Sequence, residues 1–169
     1  MNGDLLTTGA EPSDDREFVM AAVRKSGLSI RQASVRLRAD GEVALQAVRQ
    51  NGRALEHVAG ELRADRKIVL AAIGRWAIAL QFASAELRDD REIVLKAVRK
   101  WGVAIKFASV RLRSDRGLVI AASRRNTAAL KYASEELRVD LQSDKRCGRQ
   151  LGTGAVALSP AAEKQSGNK

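Results

Sequence analysis

The sequence predicts an all-α fold: a short α-solenoid of about five 25-residue helical-hairpin repeats, with disordered N- and C-terminal tails. Three observations carry this. Aspartates recur every 25 residues, at Asp15, Asp40, Asp65, Asp90 and Asp115, and Asp140 continues the series. Twenty-two residues after each comes a leucine (Leu37, Leu62, Leu87, Leu112, Leu137), followed every time by an arginine (Arg38, Arg63, Arg88, Arg113, Arg138). The only prolines, Pro12 and Pro160, flank this region, so its long middle has no helix breaker of that kind. Apolar residues make up 45% of the 169 and aromatics 4%. That is enough for a core, and the small aliphatics that dominate it suit closely approaching helices.

Residues 1–13 have neither the basic start nor the apolar stretch of a secretory signal, and they lack the basic residues of a transit peptide. They are expected to be disordered, with the array occupying 14–140. Numbering each repeat from its aspartate as position 1, positions 4, 5, 6, 8 and 9 are mainly apolar; in the fourth repeat they are Ile93, Val94, Leu95, Ala97 and Val98. Positions 5, 8, 9 and 12 follow the spacing of one helical face. The aspartate, or the residue before it, suits the N-cap because a carboxylate accepts from first-turn amides. Gly27, Gly52 and Gly102 at position 13 predict a left-handed helix end, with Ala77 and Thr127 as departures. Positions 16, 19, 20 and 23 (Leu80, Ala83, Ser84 and Leu87 in the third repeat) form the stripe of a second helix with small residues in its middle.

Each helix is expected to be about 10 residues long, too short to stand alone, so the hairpins must stack. Polar residues at the array's ends (Ser26 and Gln32 in the first repeat, Ser123, Asn126 and Thr127 in the fifth) read as caps facing water. A sixth repeat would need apolar residues where Ser143, Asp144, Lys145 and Gly148 stand, so the array stops near Asp140. Residues 141–169 read as a flexible basic tail.

The run Leu87–Val98, then Phe107-Ala108-Ser109 and Leu112-Arg113, resembles the tandem repeat known as domain of unknown function 4116. Members of that family repeat an "LRDD-E-V-AAV…G-AL-YAS-EL" pattern. The likeness covers about residues 13–140, with departures at Gly41 and Gly117 in the first turn and at Gln32 and His57 in the aromatic position. The resemblance implies a helical fold. It implies no established activity and transfers no catalytic residue.

Nothing in the chain has the pattern of an active site. His57 is the sole histidine, and equivalent positions hold Gln32, Phe82, Phe107 and Tyr132, so it reads as a filler of an aromatic-sized slot. One cysteine, Cys147, excludes an intramolecular disulfide, and no cofactor or metal is expected. The aspartates recur once per repeat, as caps do and catalytic residues do not. Gly148–Gly154 lacks the Gly-Lys-Ser/Thr ending of a phosphate loop. No apolar run approaches the roughly 20 residues of a membrane span, and an intracellular protein, cytoplasmic or nuclear, is expected.

Charge is the remaining signal. The formal net charge is +10, and residues 15–139 hold 25 Lys/Arg against 14 Asp/Glu, a net +11. At positions 10 and 11, Arg24, Lys25, Arg49, Arg75, Arg99, Lys100, Arg124 and Arg125 would align into a basic row on stacking. The position-24 arginines make a second row, expected to ion-pair with the next repeat's aspartate. Trp76 and Trp101, at position 12 beside the first row, are candidate stacking residues or packing plugs. Two functions follow as expectations. The leading one is a non-enzymatic scaffold binding a protein or peptide, since repeat arrays present extended surfaces. The alternative is RNA or DNA binding through the basic row.

Overall fold

A computed structural model describes residues 11–143. The five long helices are Arg16–Lys25, Gly41–Gln50, Arg66–Arg75, Arg91–Lys100 and Arg116–Arg125. The aspartates cap all five. Asp15, Asp65 and Asp115 each accept from the amide of the third residue on, and Asp40 and Asp90 accept from two first-turn amides each. Such a cap satisfies donors that the helix itself leaves open.

The second half of each repeat departs from the expected hairpin. In place of one helix it holds a six-residue 3-10 segment and a short α-turn. The 3-10 segments are Gly27–Gln32, Gly52–His57, Ala77–Phe82, Gly102–Phe107 and Thr127–Tyr132. Position 19 then turns extended, as at Ala83 and Ala108, and the serine at position 20 starts a new helix. Ser34, Ser84 and Ser109 accept from the amides of Leu37, Leu87 and Leu112, capping Val35–Arg38, Ala85–Arg88 and Val110–Arg113. The serine is thus a cap and not merely a small residue on a stripe. The second repeat supplies the contrast. Ala59 stands there without a hydroxyl, and the following segment, Glu61–Ala64, forms only a 3-10 turn.

Repeats stack in parallel rows, long helix on long helix and 3-10 segment on 3-10 segment, with each long helix also lying on the 3-10 segment of the preceding repeat. One backbone hydrogen bond ties the short-helix row at each junction: the amides of Ala59, Ser84, Ser109 and Ser134 donate to the carbonyls of Arg38, Arg63, Arg88 and Arg113. The core is continuous. Long helices bury positions 4, 5, 8 and 9 (Ile93, Val94, Ala97 and Val98 in the fourth), and the 3-10 segments bury position 16 through Ile30, Leu55, Leu80 and Ile105. Position 4 is buried in repeats two to five but exposed in the first, where no repeat precedes Phe18 (44% exposed) among the described residues.

Glycine at position 13 serves close approach, not a left-handed helix end. A Cβ built on Gly27, Gly52 or Gly102 would lie under 3.0 Å from the carbonyl oxygen of Ala47, Ala72 or Ala122 on the next long helix. Thr127 is tolerated because no sixth long helix follows among the described residues. Ala77 is not at an end. Its methyl occupies the place that glycine leaves open, and the long helices of repeats three and four pack less closely than the other successive pairs.

The array's limits also shift. Ser13 is paired: its amide donates to the Gln32 carbonyl, and its carbonyl accepts from the Ser34 amide, as the position-24 carbonyls accept at later junctions. At the other end the last helix runs Glu135–Ser143 without a break at Asp140, and Leu141 is only 2% exposed, so the core extends past Asp140. Ser123 does not face water. It is 1% exposed, and its hydroxyl donates to the Val119 carbonyl at 2.8 Å. Cys147, the Gly148–Gly154 run and most of both tails lie outside the described residues.

Candidate functional site

The two ends of the long helices carry opposite charge arrangements. At the N-terminal ends, arginines at position 2 reach forward one repeat. Arg16 pairs with Asp40 at 3.0 Å and with Glu42, Arg66 with Asp90 and with Glu92 (2.5 Å), Arg91 with Asp115 at 2.8 Å, and Arg116 with Asp140. These pairs replace the expected ones from position 24. A second set joins the short-helix row, where Arg111 and the Ser109 hydroxyl meet Asp89, and Arg36 and Ser34 meet Asp14.

Asp40, Asp90 and Asp115 are held below the usual carboxylate range. The hydrogen bond from Arg91 does most to lower Asp115, against some desolvation. Burial is the largest single influence on Asp40 and Asp90 and pushes them up. The capping amides and the Arg16 or Arg66 guanidinium together outweigh it, leaving both lowered.

The position-24 arginines behave as structural groups. Arg63 donates to the carbonyls of Val58 and Glu56, Arg138 pairs with Glu135, and the Nε atoms of Arg38, Arg88 and Arg113 lie buried with no hydrogen-bond partner among the described residues.

At the C-terminal ends the cations have no carboxylates beside them. No aspartate or glutamate occurs at positions 10 to 15 of any repeat. Arg24, Lys25, Arg49, Arg75, Arg99, Lys100, Arg124 and Arg125 are all exposed. Lys100 donates to the Gly74 carbonyl of the preceding repeat, and none of the eight has an ion pair among the described residues. The structure thus brings the sequence-derived row onto one edge. Each cation also opposes the partial negative charge of its helix end, worth about 0.3–1 kcal/mol.

Trp76 and Trp101 cap the third and fourth long helices in extended conformation, each amide donating to the carbonyl four residues back. Both are half-buried against the core, and the Trp76 ring meets Phe82 at a 6.3 Å centroid separation. Packing therefore uses part of each indole. An open groove of about 430 Å³ lies between repeats two and three, lined by Gln50, Asn51, Gly52, Arg53, Arg75 and Trp76. The sequence reading did not single out Arg53. Its signal was present at position 14, where the other repeats hold Leu28, Ile78, Val103 and Ala128.

His57 sits half-buried in the aromatic slot, where desolvation foremost lowers its pKa. No cluster of three or more potential metal ligands occurs among the described residues, and no helix there is long and apolar enough to cross a membrane.

These features define a tandem helical-repeat protein. Its repeats match the profile of a domain of unknown function (DUF4116) in four overlapping stretches, 15–63, 40–88, 65–113 and 90–138, and the chain belongs to that family. Each stretch spans two 25-residue repeats and starts one repeat after the last. No curated protein and no solved structure matches the chain.

Proposed function

We propose that the array is a non-enzymatic interaction module whose binding surface is the basic edge, and that its ligand is the phosphate backbone of a nucleic acid. One observation carries this reading. The arginines at position 2, at the long-helix N-termini, find carboxylates of the next repeat, whereas the eight cations at the long-helix C-termini stand together with no acidic residue at positions 10 to 15 of any repeat. At three of the five helix ends two cations stand together, more than opposing a helix dipole requires. Stacked helices lie roughly 8–10 Å apart, so the row offers a ladder of positive charge along one edge. A protein or peptide groove has weaker support. The exposed large apolar residues Phe18, Val35, Val110 and Val139 are scattered, two of them three repeats apart, and form no continuous patch. A cytoplasmic or nuclear location belongs to the same proposal.

The test is anisotropy of a labelled single-stranded oligonucleotide across a salt series. Five phosphate contacts imply an affinity loss of about a hundredfold between 50 and 200 mM salt. Reversing the charge of Arg99, Lys100, Arg124 and Arg125 together should abolish binding and leave the helical circular dichroism unchanged. A flat salt response, or no binding at low ionic strength, removes the proposal. Recovery from lysate of one protein partner that resists nuclease would favour the scaffold reading instead.

A further inference from the structure

Repeats build structure by being alike, so a site should lie where one of them differs. Position 14 is apolar in four repeats and charged in one, at the exposed Arg53. Arg53 lies on the groove between repeats two and three, where position 12 of the third repeat is also the first in the chain to carry an indole, Trp76. Arg75 completes the set. Neither the first junction, which has Ser26, Leu28 and Asn51 at these positions, nor the third, which has Ile78 at position 14, combines a cation there with an indole across the groove.

Much of the polar lining is already engaged. Gln50 accepts from the Gly27 amide at 2.7 Å and donates to the Lys25 carbonyl, and the Asn51 side-chain oxygen Oδ1 accepts from the Arg53 amide. What remains is mostly donor and flat. The Arg53 guanidinium spends only its Nε on Glu56, at 3.3 Å on an exposed surface, so the rest of its fork is available. Arg75 has no ion pair, and the indole of Trp76 is only partly covered. A groove with two guanidiniums, an amide donor and an indole matches a group that is anionic at one end and an aromatic plane at the other. Its volume falls in the range of small-ligand sites.

We infer that this groove seats one nucleotide unit of a single strand, its phosphate on Arg53 and Arg75 and its base against Trp76. The inference rests on the nucleic-acid reading of the basic edge and adds to it a preference for unpaired bases, because a base held in a duplex must first leave its stack and its pairing partner to meet the indole.

The experiment uses the full chain with Trp101→Phe, which leaves Trp76 as the one indole, titrated with a twelve-residue oligothymidylate and with a duplex of equal length. The single strand should quench Trp76 emission by half or more, and the duplex should bind with little quenching. In the unmodified chain, Arg53→Leu, which restores the residue of the first repeat, should weaken single-strand binding at least fivefold. The exposed control Lys131→Ala should change it by less than twofold. Salt-sensitive binding that leaves Trp76 emission unchanged, or an Arg53→Leu loss no larger than the control's, overturns the groove and leaves the basic edge standing. No binding of either oligonucleotide at low salt overturns both.

Discussion

Asp40, Asp90 and Asp115 each do two things at once, capping their own helix and receiving an arginine from the repeat before. Asp90→Ala should therefore cost more than an ordinary cap, about 1–2 kcal/mol for the cap alone, measured by urea unfolding. Asp90→Asn should recover part of that loss, because an amide oxygen can still cap. The folded state holds these carboxyls below their unfolded values. Their contribution is thus complete above the unfolded carboxyl pKa near 4 and is lost as pH falls through the lower folded values. The melting temperature should accordingly drop steeply below pH 4. His57 works in a different window. Burial lowers its pKa below the ordinary 6.5, so the unfolded chain binds the proton first and stability falls as pH drops through 6.5. His57→Phe, which installs the residue of the third and fourth repeats, should raise the melting temperature at pH 5.5 more than at pH 7.5. An equal rise at both would show that packing alone is responsible.

Among the elements, the long helix was legible because its signals are local: an aspartate, then apolar residues in one arc. The second half was not, because Ala and Ser at positions 19 and 20 fit a helical stripe as well as they fit a break. Only the serine hydroxyl's bond to the leucine amide distinguishes the two. Glycine at position 13 misled for a similar reason. Its usual role at a helix end is conformational, and here the demand comes from a backbone 20 residues further along the chain. Gly52→Ala should destabilise the array by about 1–3 kcal/mol, because the added methyl meets the Ala72 carbonyl and not a flexible side chain. Ala77→Gly removes no such obstruction, so its melting temperature should fall far less than that of Gly52→Ala. Equal losses would mean that glycine is needed there for reasons other than space.

For the whole molecule, the period was sufficient to reveal an array, but not which side chains meet across a junction. The position-2 arginine and the next aspartate are 24 residues apart, and only the translation between repeats brings them together. The basic row was visible for the opposite reason: it requires no pairing, only stacking, and stacking follows from the period. Arg53 was visible too, as the one charged residue in its column, but a column matters only once a groove is seen beside it.

Position 13 also sets the step of the ladder. Glycine allows one repeat to approach the next closely, and where Ala77 stands in its place the long helices of repeats three and four pack less closely. The row of cations then falls into two groups, three helix ends and two, with the looser junction between them. A strand that can flex between phosphates follows such a junction more readily than a stiff duplex does.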